Sequence, residues 1–137
     1  MIEEAYISFD TAKLAKEKGF DEPCLRFYSL NYDVHNSLLG LDNKANYISN
    51  SKWDSLRCDI TNNISAPTQS LLARWLREKH NMCVEVYCIA CNFIWNICKT
   101  DGTDTKSSEY SGPNDGGAWD SYEDAMENGL QEALKML

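Results

Sequence analysis

The period of the apolar residues changes at Asn81, and that change narrows the folds open to this chain. Before it, Leu72, Trp75 and Leu76, with Leu71 beside them, recur at helical spacing, while Ser70, Arg74, Arg77 and Glu78 fall on the opposite side. The spacing predicts a helix over 66–80. Pro67 is expected in its first turn, where a missing N–H costs nothing, and either Ser65 or Thr68 is expected to cap it. Asn81 ends it, because asparagine tolerates the left-handed conformation. After Asn81 the period is two. Met82, Val84, Val86 and Cys88 alternate with Cys83, Glu85, Tyr87 and Ile89, and Phe93, Trp95 and Ile97 alternate with Ile94, Asn96 and Cys98. Two strands separated by Ala90, Cys91 and Asn92 alone predict an antiparallel hairpin. Both strands carry apolar residues on both faces, a pattern that allows helices to cover the sheet on both sides.

The remaining elements follow from the same tests. Tyr122, Ala125, Met126, Gly129, Leu130, Ala133, Leu134 and Leu137 repeat at spacings of three and four, which predicts a C-terminal helix. Asp120 with Glu123, or Ser121 with Asp124, supplies its capping box. Gly129 on its apolar face points to a close approach between helix and sheet. Near the N-terminus, Asp10 is expected as the cap of a short helix, with a Phe9–Leu14 staple and Gly19 as the left-handed residue at its end. Strands are expected over 24–32 and around Leu56, Cys58 and Ile60. Residues 31–54 and 100–117 are less regular. The second of these is a mobile functional loop, a longer hairpin tip or tolerated length. The pattern as a whole predicts an α+β fold, a single domain over 1–137, in which three helices pack on an antiparallel sheet of about four strands.

Charge bears on partners. The net charge is −8, and residues 101–137 hold nine acids against two lysines, while residues 1–100 hold twelve acids against eleven bases. Nucleic-acid binding draws on positive charge, so the molecule as a whole is a poor candidate for it. No apolar run approaches the roughly 20 residues that cross a bilayer, and Met1-Ile2-Glu3-Glu4 lacks a secretory pattern. The expected location is the cytoplasm, with no membrane contact and with the six cysteines reduced.

Three stretches resemble a known group. Ile7-Ser8-Phe9-Asp10-Thr11-Ala12-Lys13-Leu14-Ala15-Lys16-Glu17-Lys18-Gly19-Phe20 is similar to the opening of small phage and prophage proteins of Bacteroides-type bacteria. Residues 66–80, Ala66-Pro67-Thr68-Gln69-Ser70-Leu71-Leu72-Ala73-Arg74-Trp75-Leu76-Arg77-Glu78-Lys79-His80, resemble their central segment. Tyr122-Glu123-Asp124-Ala125 and Gly129-Leu130-Gln131-Glu132-Ala133-Leu134 resemble their end. The group is the phage ABA sandwich domain. The resemblance implies helices on both faces of a sheet. It implies no activity and carries over no catalytic residue.

Candidate sites are few. Cys83, Cys88, Cys91 and Cys98 crowd the hairpin, and Cys88-Ile89-Ala90-Cys91 is a C-x-x-C that four thiolates would need for zinc. The knuckle lacks glycine and sits among apolar residues, so core filling is the stronger reading and no metal or cofactor is expected. Arg74, Arg77 and Lys79, with Ser70 and Gln69, offer phosphate contacts from the exposed side of the central helix, against a plainer reading of a solvated face in which Arg74 pairs with Glu78 or an acid of the C-terminal helix. His35 and His80 have no evident nucleophile partner, and His80 at a helix C-terminus complements the helix dipole. Asp101, Asp104 and Asp115 do not follow calcium-loop spacing, and no phosphate-binding glycine motif occurs. No enzyme is expected. The favoured function is a small phage or prophage accessory protein that binds another protein, phage or host, through acidic Glu123, Asp124 and Glu127 or the 101–117 loop. The runner-up is a nucleic-acid-binding module using Arg74 and Arg77. A structural zinc protein, or an enzyme of unknown class, comes third.

Overall fold

The computed structural model describes residues 1–29, 38–40, 47–55, 63–103, 105–108 and 111–137. The fold is α+β, and among the described residues it has four α-helices and two antiparallel sheets where one sheet and three helices were expected. The chain divides into two compact units, residues 6–68 and residues 1–5 with 69–137.

In residues 6–68, helix α1 (Phe9–Glu17) opens the unit. Its cap is Ser8, whose Oγ accepts from the Thr11 amide at 3.3 Å, so Asp10 is a first-turn acid and not the cap. Phe9 lies inside the helix with its ring edge-on to Tyr28. Gly19 takes the expected left-handed conformation at φ +91°, and the Phe20 amide returns to the Ala15 carbonyl at 2.9 Å. Strand β1 (Arg26–Ser29) starts two residues later than expected, with residues 30–32 of the expected strand outside the described residues, and lies between β2 (Leu38–Gly40) and β3 (Asn63–Ser65). The expected strand at Leu56, Cys58 and Ile60 lies outside the described residues. Helix α2 (Asn50–Ser55) packs on β3. Ile7, Ala12, Phe20, Trp53 and Ile64 are buried, and the Tyr28 hydroxyl donates to the Ile7 carbonyl at 2.8 Å.

In the second unit, helix α3 (Gln69–His80) starts later than its apolar pattern implies. Pro67 precedes it in extended backbone. The Pro67 carbonyl accepts from the Ile7 amide at 3.1 Å, and Thr68 bridges Tyr6. These contacts hold 66–68 straight, and the Gln69 amide is satisfied by the Ala5 carbonyl at 2.8 Å. Asn81 leaves the helix at φ +53°. Strands β4 (Met82–Ile89) and β5 (Asn92–Lys99) then form the hairpin, with Ile89 opposite Asn92. The turn is therefore two residues, Ala90 and Cys91, at φ +48° and +68°.

A short strand, β6 (Lys106–Ser107), adds to the free side of β5. Trp119 continues that edge by bridging Phe93. The 111–118 segment is tied by Gly112 N to Gly117 O, Gly117 N to Asn114 O and Asn114 N to Ala118 O, so much of the predicted loop is a hydrogen-bonded strap. Helix α4 (Tyr122–Lys135) is capped by Ser121, the second of the two expected boxes, whose Oγ accepts from the Asp124 amide at 3.1 Å. It lays Ala125, Met126, Leu130, Ala133 and Leu134 against β4 and β5. A Cβ on Gly129 would stand 2.9 Å from Val84 and 3.1 Å from Trp95, which is the close approach that the sequence implies. Trp95 is 1% exposed, and its indole donates to Asn128 Oδ1 at 2.9 Å. One face of the hairpin, with Met82, Val84, Trp95 and Ile97, is core. The other carries Tyr87 and Ile89 at 41% and 50% exposure, so its apolar residues do not mark a second covered face.

Candidate functional site

The second unit contains a cleft of about 450 Å³. Residues 2–5 form one wall, α3 another and the start of α4 a third. Ala73, Val84 and Met126 make an apolar floor. Glu3, Glu4, Gln69, Ser70, Arg77 and Glu123 supply the polar lining. Helical spacing explains the α3 contribution, since Gln69, Ser70, Ala73 and Arg77 lie on adjoining turns.

Gln69 locks the walls together. Its Nε2 donates to the Glu123 carbonyl at 2.9 Å and to Glu127 Oε2 at 3.3 Å, which joins the first turn of α3 to the first turns of α4. Ser70 Oγ donates to Glu4 Oε1 at 3.2 Å and holds the N-terminal wall. Among the described residues Arg77 has no ion-pair partner, and it brings one positive charge to the lining. The result is an oily floor under a rim of mostly negative charge. It holds a shape for an apolar side chain and an electrostatic preference for cations around it.

The residues singled out in the sequence are distributed as follows. Arg77 and Glu123 meet in the cleft, and Glu127 is bonded to Gln69 behind it. Asp124 stands exposed in the first turn of α4, outside the lining. Arg74 points away and binds Glu78, Nε to Oε1, at 2.8 Å. That hydrogen bond holds the Glu78 carboxyl below its usual range and raises the Arg74 guanidinium. His80 packs edge-on to Trp75 with ring centroids 4.6 Å apart. His35 and Asp104 lie outside the described residues. Asp101 accepts from the Thr103 hydroxyl at 2.6 Å and amide at 2.9 Å, bonds that lower its carboxyl pKa and close a local turn.

The hairpin cysteines do not converge. Cys83 and Cys98 are directly opposed near the base, while Cys88 is exposed on the other face and Cys91 sits in the turn. Five residues of strand, about 16 Å, separate Cys83 from Cys88. Among the described residues, no three histidine, cysteine or acidic side chains are grouped to hold a metal ion. Cys24, in the other unit, is buried, and that burial pushes its thiol up to about 12. Among the described residues, no helix is long and apolar enough to cross a membrane.

No family model, curated protein or solved structure matches this chain.

Gln69 and Ser70, weighed in the sequence as phosphate contacts, lie in the cleft wall, and the residues that sequence reasoning missed are Glu3 and Glu4. Each reaches the cleft through a pairing between the N-terminus and α3, more than 60 positions apart in the chain. No local periodicity announces that pairing.

Proposed function

We propose that this chain is a small, non-enzymatic accessory protein of phage or prophage origin that works in the host cell by binding another protein. Origin rests on the resemblance of residues 7–20, 66–80, 122–125 and 129–134. The observation that carries the binding is the cleft, whose apolar floor of Ala73, Val84 and Met126 lies under Glu3, Glu4 and Glu123. Such a surface suits a partner segment that presents one apolar side chain flanked by lysine or arginine. The nucleic-acid reading loses one of its two cations to the Arg74–Glu78 pair, and the three lining glutamates would repel phosphate.

The test is capture of partners by the tagged protein and by a variant carrying Glu3→Gln, Glu4→Gln and Glu123→Gln, with circular dichroism to check that both are folded. The expected result is a partner held by the parent and reduced at least tenfold in the variant. Equal capture by both proteins overturns the reading.

A further inference from the structure

Cys83 and Cys98 face one another across the base of the hairpin, and both are half-exposed. Their side chains project on the face that bears Glu85 and Tyr87, away from the Val84–Trp95 face that α4 covers. Pair types alternate along an antiparallel ladder. The narrow, hydrogen-bonded pair that closes the two-residue turn is Ile89 with Asn92, so Cys83 with Cys98 is a pair of the same kind. Such a pair sets its Cα atoms about 5.5 Å apart, inside the span that disulfides bridge. Its Cβ atoms stand near the upper end of about 4.5–5.5 Å, wider than a relaxed disulfide prefers. A bond formed there is attainable but readily exchanged. Burial raises the Cys98 thiol pKa, and the neighbouring Cys83 and Glu85 add to that shift. Cys88, Cys91 and the buried Cys24 have no such directly opposed partner among the described residues.

We infer that Cys83 and Cys98 form a dithiol site for thiol–disulfide exchange with small disulfides of the glutathione class. One cysteine, as its thiolate, attacks a sulfur of the incoming disulfide. The S–S bond breaks, one small thiolate leaves, and a mixed disulfide remains. The opposed cysteine gives up its proton to solvent and attacks the protein sulfur of that mixed disulfide. A Cys83–Cys98 bond forms and the second small thiolate leaves. The protein loses two electrons and two protons, and one small disulfide becomes two thiols. The product is a covalent tie across the hairpin base, reversed by excess thiol.

The experiment uses the full chain incubated with glutathione disulfide, then alkylated, digested and mapped by mass spectrometry. The expected product has lost two hydrogens and yields a peptide linked between Cys83 and Cys98, a link that dithiothreitol removes. In Cys83→Ser the closure is lost and Cys98 retains a stable glutathione adduct. Cys88→Ser with Cys91→Ser leaves the link intact. Should Cys83→Ser fail to fold, mapping of the parent protein alone decides. Stable glutathione adducts on Cys83 or Cys98 in the parent, no reaction at either, or a link confined to Cys88 and Cys91 overturns the inference.

Discussion

Asn50 ties together two backbone groups of its unit. Its Nδ2 donates to the Phe20 carbonyl at 2.7 Å, and its Oδ1 accepts from the Ser65 amide at 2.9 Å, with the side chain 4% exposed. Alanine there removes both of these buried hydrogen bonds. We expect Asn50→Ala to lower the unfolding free energy by about 2–4 kcal/mol, read as a shift of the urea midpoint. Glu132 is a second residue whose chemistry reaches beyond itself. The Lys106 ammonium at 2.6 Å, helped by Lys135 at 3.2 Å, holds its carboxyl below the usual range. A depressed carboxyl stabilises the fold when ionised, so its contribution is present above about pH 4.3, the unfolded value, and is lost as pH falls through the folded one. Glu132→Gln is expected to flatten the loss of stability between about pH 5 and pH 3, measured as denaturant midpoints across that range.

At the scale of elements, the hairpin turn holds two non-glycine residues where φ is positive. Each such residue costs roughly 1 kcal/mol in the left-handed region. Ala90→Asn with Cys91→Gly is expected to raise the melting temperature by several degrees, a shift calorimetry resolves. Gly129 has the opposite sign. Alanine normally gains about 1 kcal/mol of helix propensity, but here its methyl must displace Val84 or the buried Trp95. We expect Gly129→Ala to destabilise by about 1–3 kcal/mol in the same calorimetric assay, the cost of overpacking outweighing the propensity. These elements were also the ones most readable in the sequence. Helix α4 and the hairpin have long, unbroken periods, and their bounds in the structure lie close to those expected. Helix α2 and β3 were missed because six and three residues are too few to show a period. Pro67 misled because its carbonyl is used by Ile7, a partner that no local pattern reveals. The Cys83–Cys98 pairing was hidden by a single residue. A three-residue turn at 90–92 puts Cys83 opposite Lys99, and only the two-residue turn aligns the thiols.

Over the whole molecule, charge is unequally divided. Residues 1–5 with 69–137 carry thirteen acids and six bases, while residues 6–68 carry eight acids and seven bases. The unit with the cleft is thus the acidic one. Capture of a basic partner is expected to weaken steeply as salt rises toward about 1 M, where screening acts beyond about 3 Å, and pull-downs over a salt series test this. The route of the chain has a consequence of its own. It departs the acidic unit after Ala5 and comes back at Gln69, and these two residues are joined by a 2.8 Å hydrogen bond. One step outward, Tyr6 and Thr68 are bridged as well. The intervening 63 residues hang from a fastened hem, so evolution can lengthen, trim or rewrite that cassette while the threads on the other side of the seam keep their alignment.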